Sequence, residues 1–208
     1  MKILTVLSIA GLSLLVGVAG ACSSDSAPSN TAGTNRAATT SNATAANAAA
    51  PAKAADETPA VIKTALPEAQ SFTTQHKDIP KDAIAGIEKD TGAKVPATDH
   101  HSYLAFSTAG GKRSQIAAAT VVKAAGKDVV IIYDNKDGSP AIREVRAEGV
   151  SPDFLKQFAG KGHDDIFSVG NDIKVAGGVD DATAKAIAQA VRIDSMSMQT
   201  LYGSAHAH

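Results

Sequence analysis

Between Ser102 and Glu148 the chain reverses direction several times, and that constrains its fold more than any other feature. Four strand-like runs follow one another: Ser102 to Ser107, Ile116 to Lys123, Asp128 to Tyr133 and Ala141 to Glu148. The breaks between them are Gly110-Gly111, Ala125-Gly126-Lys127 and Asp134-Asn135-Lys136-Asp137-Gly138. Gaps this short cannot hold a crossover helix, so the spacing predicts an antiparallel meander. The run Asp128 to Tyr133 (DVVIIY) is almost wholly apolar, which predicts a central strand covered on both faces. In the fourth run, Ile142, Glu144 and Arg146 alternate with Arg143, Val145 and Ala147, so the pattern leaves open which face is buried.

Helical patterns flank these strands. Pro80 to Asp90 reads as a helix opened by Pro80, with Ala83, Ile84 and Ile87 on one side and Gly92 as its stop. Ser151 to Phe158 reads as a second, with Ser151 as N-cap, Pro152 in the first position and Gly160 as the stop. Its Phe154, Leu155 and Phe158 share a face. Asp181 to Ile193 is an alanine-rich helix with Ala182, Ile187, Ala190 and Val191 as candidate buried positions. Leu66 to Ala69 reads as a turn or short helix, and Ser71 to Lys77 as a further strand. Strands in series with helices before and after them define an α+β class, a meander sheet flanked by helices. Ser195 to His208 is polar with scattered Met and predicts a loose tail.

The N-terminus is of another kind. Met1-Lys2 precedes an apolar run from Ile3 to Val18, then Ala19-Gly20-Ala21 and the chain's single cysteine, Cys22. This is the pattern of a secretory signal, and it resembles that of a bacterial lipoprotein. A transmembrane anchor, for which the run is short, and an ordinary signal with a stray cysteine are the alternatives. Lipidation of Cys22 would anchor the protein at a membrane surface without spanning it. With Ser23 next, the lipoprotein pattern favours the periplasmic side of the outer membrane over the inner. Residues 23–60 are rich in Ala, Ser, Thr and Asn and almost free of large apolar side chains, so they read as a tether. The expected organisation is a signal over 1–22, a tether over 23–60, a domain over 61–194 and a tail over 195–208.

Charge and composition narrow the function. A formal net charge of -1 gives no electrostatic case for nucleic acid. With no Trp and 4% aromatic residues, a flavin or nucleotide site built on stacked rings has few candidates. No pair of carboxylates stands out for acid–base work, and no Ser/His/Asp set has a recognisable context.

Ala176-Gly177-Gly178, just ahead of a helix, is the best site candidate. Backbone N–H groups at a helix start bind phosphate, and glycine permits close approach. Asp180 and Asp181 support the other reading, a turn in which the helix is capped from within and repels an anion. Lys161, between Gly160 and Gly162, is either a point charge for a phosphate or a solvated lysine. Asp99-His100-His101 and His163-Asp164-Asp165 offer metal-type ligands. Adjacent histidines on a strand point to opposite faces, however, so both clusters read as solvated loops and no metal site is assigned. His206-Ala207-His208 ends the chain, and Asp134 to Gly138 reads as a hairpin turn.

A family resemblance rests on Phe154, Leu155, Gln157, Phe158, Gly160 and Lys161, then Asp172, Ile173 and Gly178. In that order and spacing they resemble the FMN-binding domain, the flavin-carrying domain of Rnf-type and sodium-pumping quinone reductase complexes. The likeness extends faintly back to about Leu66. It implies an electron carrier in the cell envelope, working with envelope redox proteins, its FMN held at the glycine turn near Gly177, Gly178, Asp180, Thr183 and Lys161. Tyr103, Phe106, Tyr133 and Phe167 are the aromatics available to flank the ring. The family attaches FMN through the last Thr of a Ser/Thr-Gly-Ala-Thr turn. Here Gly177-Gly178-Val179-Asp180 stands in its place, and Thr183 lies at another spacing. Any FMN is therefore expected to be non-covalent and weakly held, and the alternative is a domain without flavin that serves as a binding or accessory module.

Overall fold

The computed structural model describes residues 57–204. Cys22, the expected signal, nearly all of the expected tether, and His206 and His208 lie outside them. The elements run α1 (Ala60–Ala65), β1 (Ser71–Asp78), α2 (Lys81–Thr91), β2 (Asp99–Ala109), β3 (Lys112–Ala124), β4 (Lys127–Lys136), β5 (Ser139–Ala147), α3 (Pro152–Leu155) with a 3-10 turn over Lys156–Phe158, and α4 (Asp181–Tyr202). The class is α+β, as expected. The five strands form one antiparallel sheet in chain order, β1-β2-β3-β4-β5.

Three hairpins of one kind build the meander. Ala109 pairs with Lys112, Ala124 with Lys127 and Lys136 with Ser139, so each loop has two residues. Those residues are Gly110-Gly111, Ala125-Gly126 and Asp137-Gly138, all six with positive φ. Positive φ at both positions marks the type I′ turn, whose twist matches that of the strands it joins. In the third hairpin Asn135 Oδ1 also accepts the Gly138 N–H at 2.9 Å.

The sheet is covered on both faces. Val129, Ile131 and Tyr133 of β4 join Phe154, Phe158, Ile187 and Val191 in the larger core, beneath α3 and α4. Val130 and Ile132 point the other way, to Ile62 and Leu66 around α1. That division accounts for the unbroken apolar run of β4. A smaller cluster of Ile79, Ile87 and Ile193 packs α2 against α4.

The ambiguous pattern of β5 comes from a bulge. Ile132 pairs with Glu144 and Tyr133 with Ile142, so Arg143 is an extra residue. The skipped position lets Ile142 and Val145 both face the larger core, which strict alternation forbids. A second bulge leaves Ile116 extra on β3. Arg143 Nη2 donates to the Ile116 carbonyl, while Nε reaches Asp134 Oδ1 at 2.8 Å. One irregular residue thus satisfies the backbone of the other.

Two expectations are corrected. The last helix does not stop at Ile193, nor the domain at 194. α4 continues to Tyr202, and Ser195, Ser197 and Met198 of the expected tail are buried. The buried stripe of α4 is Ala184, Ile187, Ala188 and Val191, whereas Ala182 is exposed and Ala190 half-buried.

Candidate functional site

The residues behind the family likeness are occupied with packing. Phe154, Phe158 and Ile173 have no exposed surface. The Phe158 ring lies 5.5 Å from that of Phe154 and 5.9 Å from that of Phe167. The Gln157 amide brackets the backbone of Lys174, accepting its N–H and donating to its carbonyl, each at 2.8 Å. Asp172 Oδ2 accepts the Ser168 N–H at 3.1 Å. The motif therefore closes the loop from Phe158 to Ala176 over the end of α3.

The glycine turn is likewise built into the fold. Gly177 and Gly178 have φ of 65° and 77°. A Cβ on Gly177 would overlap the Oγ and Cβ of Ser151, the residue that caps α3, so glycine is required there by close approach. Asp180 is the N-cap of α4 and accepts the Thr183 N–H at 2.9 Å. Hydrogen bonds from the Thr183 N–H and hydroxyl hold the Asp180 carboxyl below its ordinary pKa. Asp181 pairs with Lys185 at 2.6 Å, one turn on. The N-terminus of α4 thus already carries an anion of its own chain.

Lys161 serves the edge of the sheet. Its carbonyl accepts the Ile142 N–H at 2.8 Å, and the Gly160 N–H donates to the Ile142 carbonyl at 2.7 Å, so this segment covers β5. The Lys161 ammonium lies 3.4 Å from Asp165. Of the aromatics proposed to flank a flavin, Tyr133 and Phe167 are buried in the larger core and Tyr103 on the opposite side of the sheet. Phe106 lies under the Arg113 guanidinium, 3.5 Å from the ring centroid. The structure does not gather these four around one site.

What the structure does gather is a polar seam beneath α4. Asp194 falls on the buried stripe of that helix and is 4% exposed. Its Oδ2 accepts the Thr120 hydroxyl at 2.6 Å and the Tyr133 hydroxyl at 2.7 Å, and its Oδ1 meets His100 Nε2 at 3.0 Å. Burial, then the negative charge of Asp194, pushes the Tyr133 phenol well above its ordinary pKa, which keeps it a donor. Further along the helix, the Tyr202 and Ser102 hydroxyls meet at 2.7 Å, and Lys77 sits 3.9 Å over the Tyr202 ring. Residues from β1, β2, β3 and β4 thus converge on α4. Asp194 sits among polar residues in sequence, and its partners lie 61 to 94 residues away, so no local signal marks it.

His100 and His101 leave β2 on opposite faces, as strand geometry requires. They lie in a strand, not the expected loop. His100 enters the seam, while His101 meets His76 of β1 and Asp99 on the other face. His163 pairs with Asp164 at 3.1 Å. A groove of about 660 Å³ runs past these strand ends, lined by Val95, Tyr103, Val122, Ile193, His100 and Asp194 among others.

Comparison with known proteins brings no match: no family model fits the chain, and no curated protein or solved structure is significantly similar to it. Among the described residues no helix is long and apolar enough to cross a membrane, which leaves strand-built spans unaddressed.

Proposed function

We propose that this protein is a bacterial cell-envelope lipoprotein, anchored through Cys22, whose α+β domain acts as a binding or accessory module beside envelope redox proteins without a covalently held flavin. The observation that carries the reading is the start of α4. Its first-turn N–H groups are what would hold an FMN phosphate. The Asp180 carboxylate already accepts one of them, the Thr183 N–H, and Asp181 adds a second negative charge. The hydroxyl nearest the turn, on Thr183, belongs to the residue whose N–H the same carboxylate accepts. The residues shared with the FMN-binding domain support a common arrangement of helix, loop and turn, since Phe154, Phe158 and Ile173 pack the core and Gln157 and Asp172 close the loop. On this reading, any FMN the domain meets is bound non-covalently and weakly.

Denaturing mass spectrometry after co-expression with a flavin transferase tests the proposal. The expected spectrum shows no increment of one FMN. An increment mapped to Thr183 overturns the proposal and makes the domain an electron carrier.

A further inference from the structure

The pairing of β1 with β2 brings together three side chains that lie far apart in the sequence. His76 of β1 stands directly opposite His101 of β2, and Asp99 lies two residues before His101, on the same face. His76 Nδ1 and His101 Nε2 are 3.1 Å apart, His101 Nε2 and Asp99 Oδ2 2.7 Å, and His76 Nδ1 and Asp99 Oδ2 3.5 Å. The geometry points to a binding site for a divalent transition-metal ion of the zinc type, held by His76, Asp99 and His101. The site is independent of the proposed function, since it lies on the opposite face of the sheet from α4.

Distances decide in favour of this reading. A circle through three atoms with these separations has a radius of about 1.8 Å, so a point about 0.9 Å off their plane lies about 2.05 Å from all three. That is the bond length zinc makes to imidazole nitrogen and carboxylate oxygen. In an ideal tetrahedron of that size the ligands stand about 3.3 Å apart, which two of the three separations match within about 0.2 Å. Only the His101–Asp99 pair must open, by about 0.6 Å, a shift that rotation of the carboxylate supplies.

The donor set and its setting fit the same ion. Two imidazoles and one carboxylate suit zinc, copper(II) or nickel over magnesium or calcium, which take oxygen ligands. The side chains of His76, His101 and Asp99 are 35%, 44% and 50% exposed, so a fourth ligand is available from solvent. Three protein ligands and one open position make up the tetrahedral zinc site that is not sealed. The strand register fixes two of the ligands opposite each other, so binding requires no backbone rearrangement. Nearby ammonium groups are engaged elsewhere: Lys77 donates to the Leu201 carbonyl at 2.9 Å, and Lys123 pairs with Asp128.

The test is titration of the EDTA-stripped full chain in detergent with zinc chloride, followed by isothermal calorimetry. It is done with His206 and His208 changed to Ala so that the chain end supplies no imidazole. One zinc per chain is expected, and cobalt(II) in its place should give the intense visible bands of a four-coordinate ion. H76A and H101A should each lower the affinity about 100-fold or more, since loss of a ligand exceeds the 10–100-fold effect of losing its outer-shell support. H163A, remote from the cluster, should leave it unchanged. Where H101A fails to fold by circular dichroism, H101Q and D99N replace it. No stoichiometric binding, or binding that survives both H76A and H101A, overturns the inference.

Discussion

Removing the carboxylate of Asp194 is the perturbation with the largest worked consequence. Asp194→Ala strands three buried donors at once: the Thr120 and Tyr133 hydroxyls and His100 Nε2. An unsatisfied buried donor costs about 1–3 kcal/mol, and breaking a buried charged network by removing one partner about 3–5 kcal/mol. Hydroxyls rotate and water can enter the space left, so the donors do not each lose the full amount. We therefore expect a loss of roughly 3–5 kcal/mol. At about 2–4 °C per kcal/mol for a domain of this size, Tm falls by roughly 10 °C. Asp194→Asn keeps one acceptor oxygen and adds an amide that the hydroxyls can accept from, so it should cost only about 1–2 kcal/mol. The assay is urea unfolding followed by far-ultraviolet circular dichroism, with midpoint and slope both fitted. If Asp194→Ala lies within about 1 kcal/mol of wild type, the seam is not what holds α4 to the sheet and the reasoning fails.

Three other outcomes follow from the same packing. Phe158→Ala empties a site between the Phe154 and Phe167 rings and should cost about 3–5 kcal/mol in the same urea assay; near-neutrality would contradict the burial of this turn. Gly177→Ala combines a φ of 65° with overlap on Ser151, so roughly 2–4 kcal/mol is expected, with Ser151→Gly recovering part of it; an unrecovered loss would rule out the overlap as the cause. Because the folded-state pKa of Tyr133 is raised above the unfolded value of about 10, the unfolded chain gives up this proton first. Stability from the neutral phenol is therefore present below about pH 10 and lost as pH rises beyond it. Urea midpoints at about pH 8 and 11 should fall further in wild type than in Tyr133→Phe, and equal falls would assign the alkaline loss to other groups.

Much of the fold could be read from local chemistry. Gly110-Gly111 and Asp137-Gly138 supply positive φ where a two-residue hairpin needs it, and DVVIIY is apolar because both of its faces are covered. Ser151, Pro152, Phe154 and Phe158 behave as their positions suggest. Misreadings arose where a long-range partner changes the meaning of a residue. Ser195 to Ser197 read as part of a loose tail, yet Asp194, just before them, faces the sheet from α4, where Thr120, Tyr133 and His100 pair with it. The buried face of β5 was open because one bulged residue, Arg143, breaks the alternation, and bulges leave little local trace. His101 could be placed opposite His100, but its partnership with His76 depends on strand register, which adjacent residues do not reveal. At the glycine turn both readings were legible, and the Asp180–Thr183 pairing tips the balance toward the capped turn.

The central claim is that the start of α4 is closed to a flavin phosphate. Titration of FMN with the purified full chain, read by flavin fluorescence, tests it most directly. No saturable quenching is expected at micromolar protein, and no change when phosphate is added as a competitor. One-to-one quenching that saturates in that range, and that phosphate reverses, would contradict it.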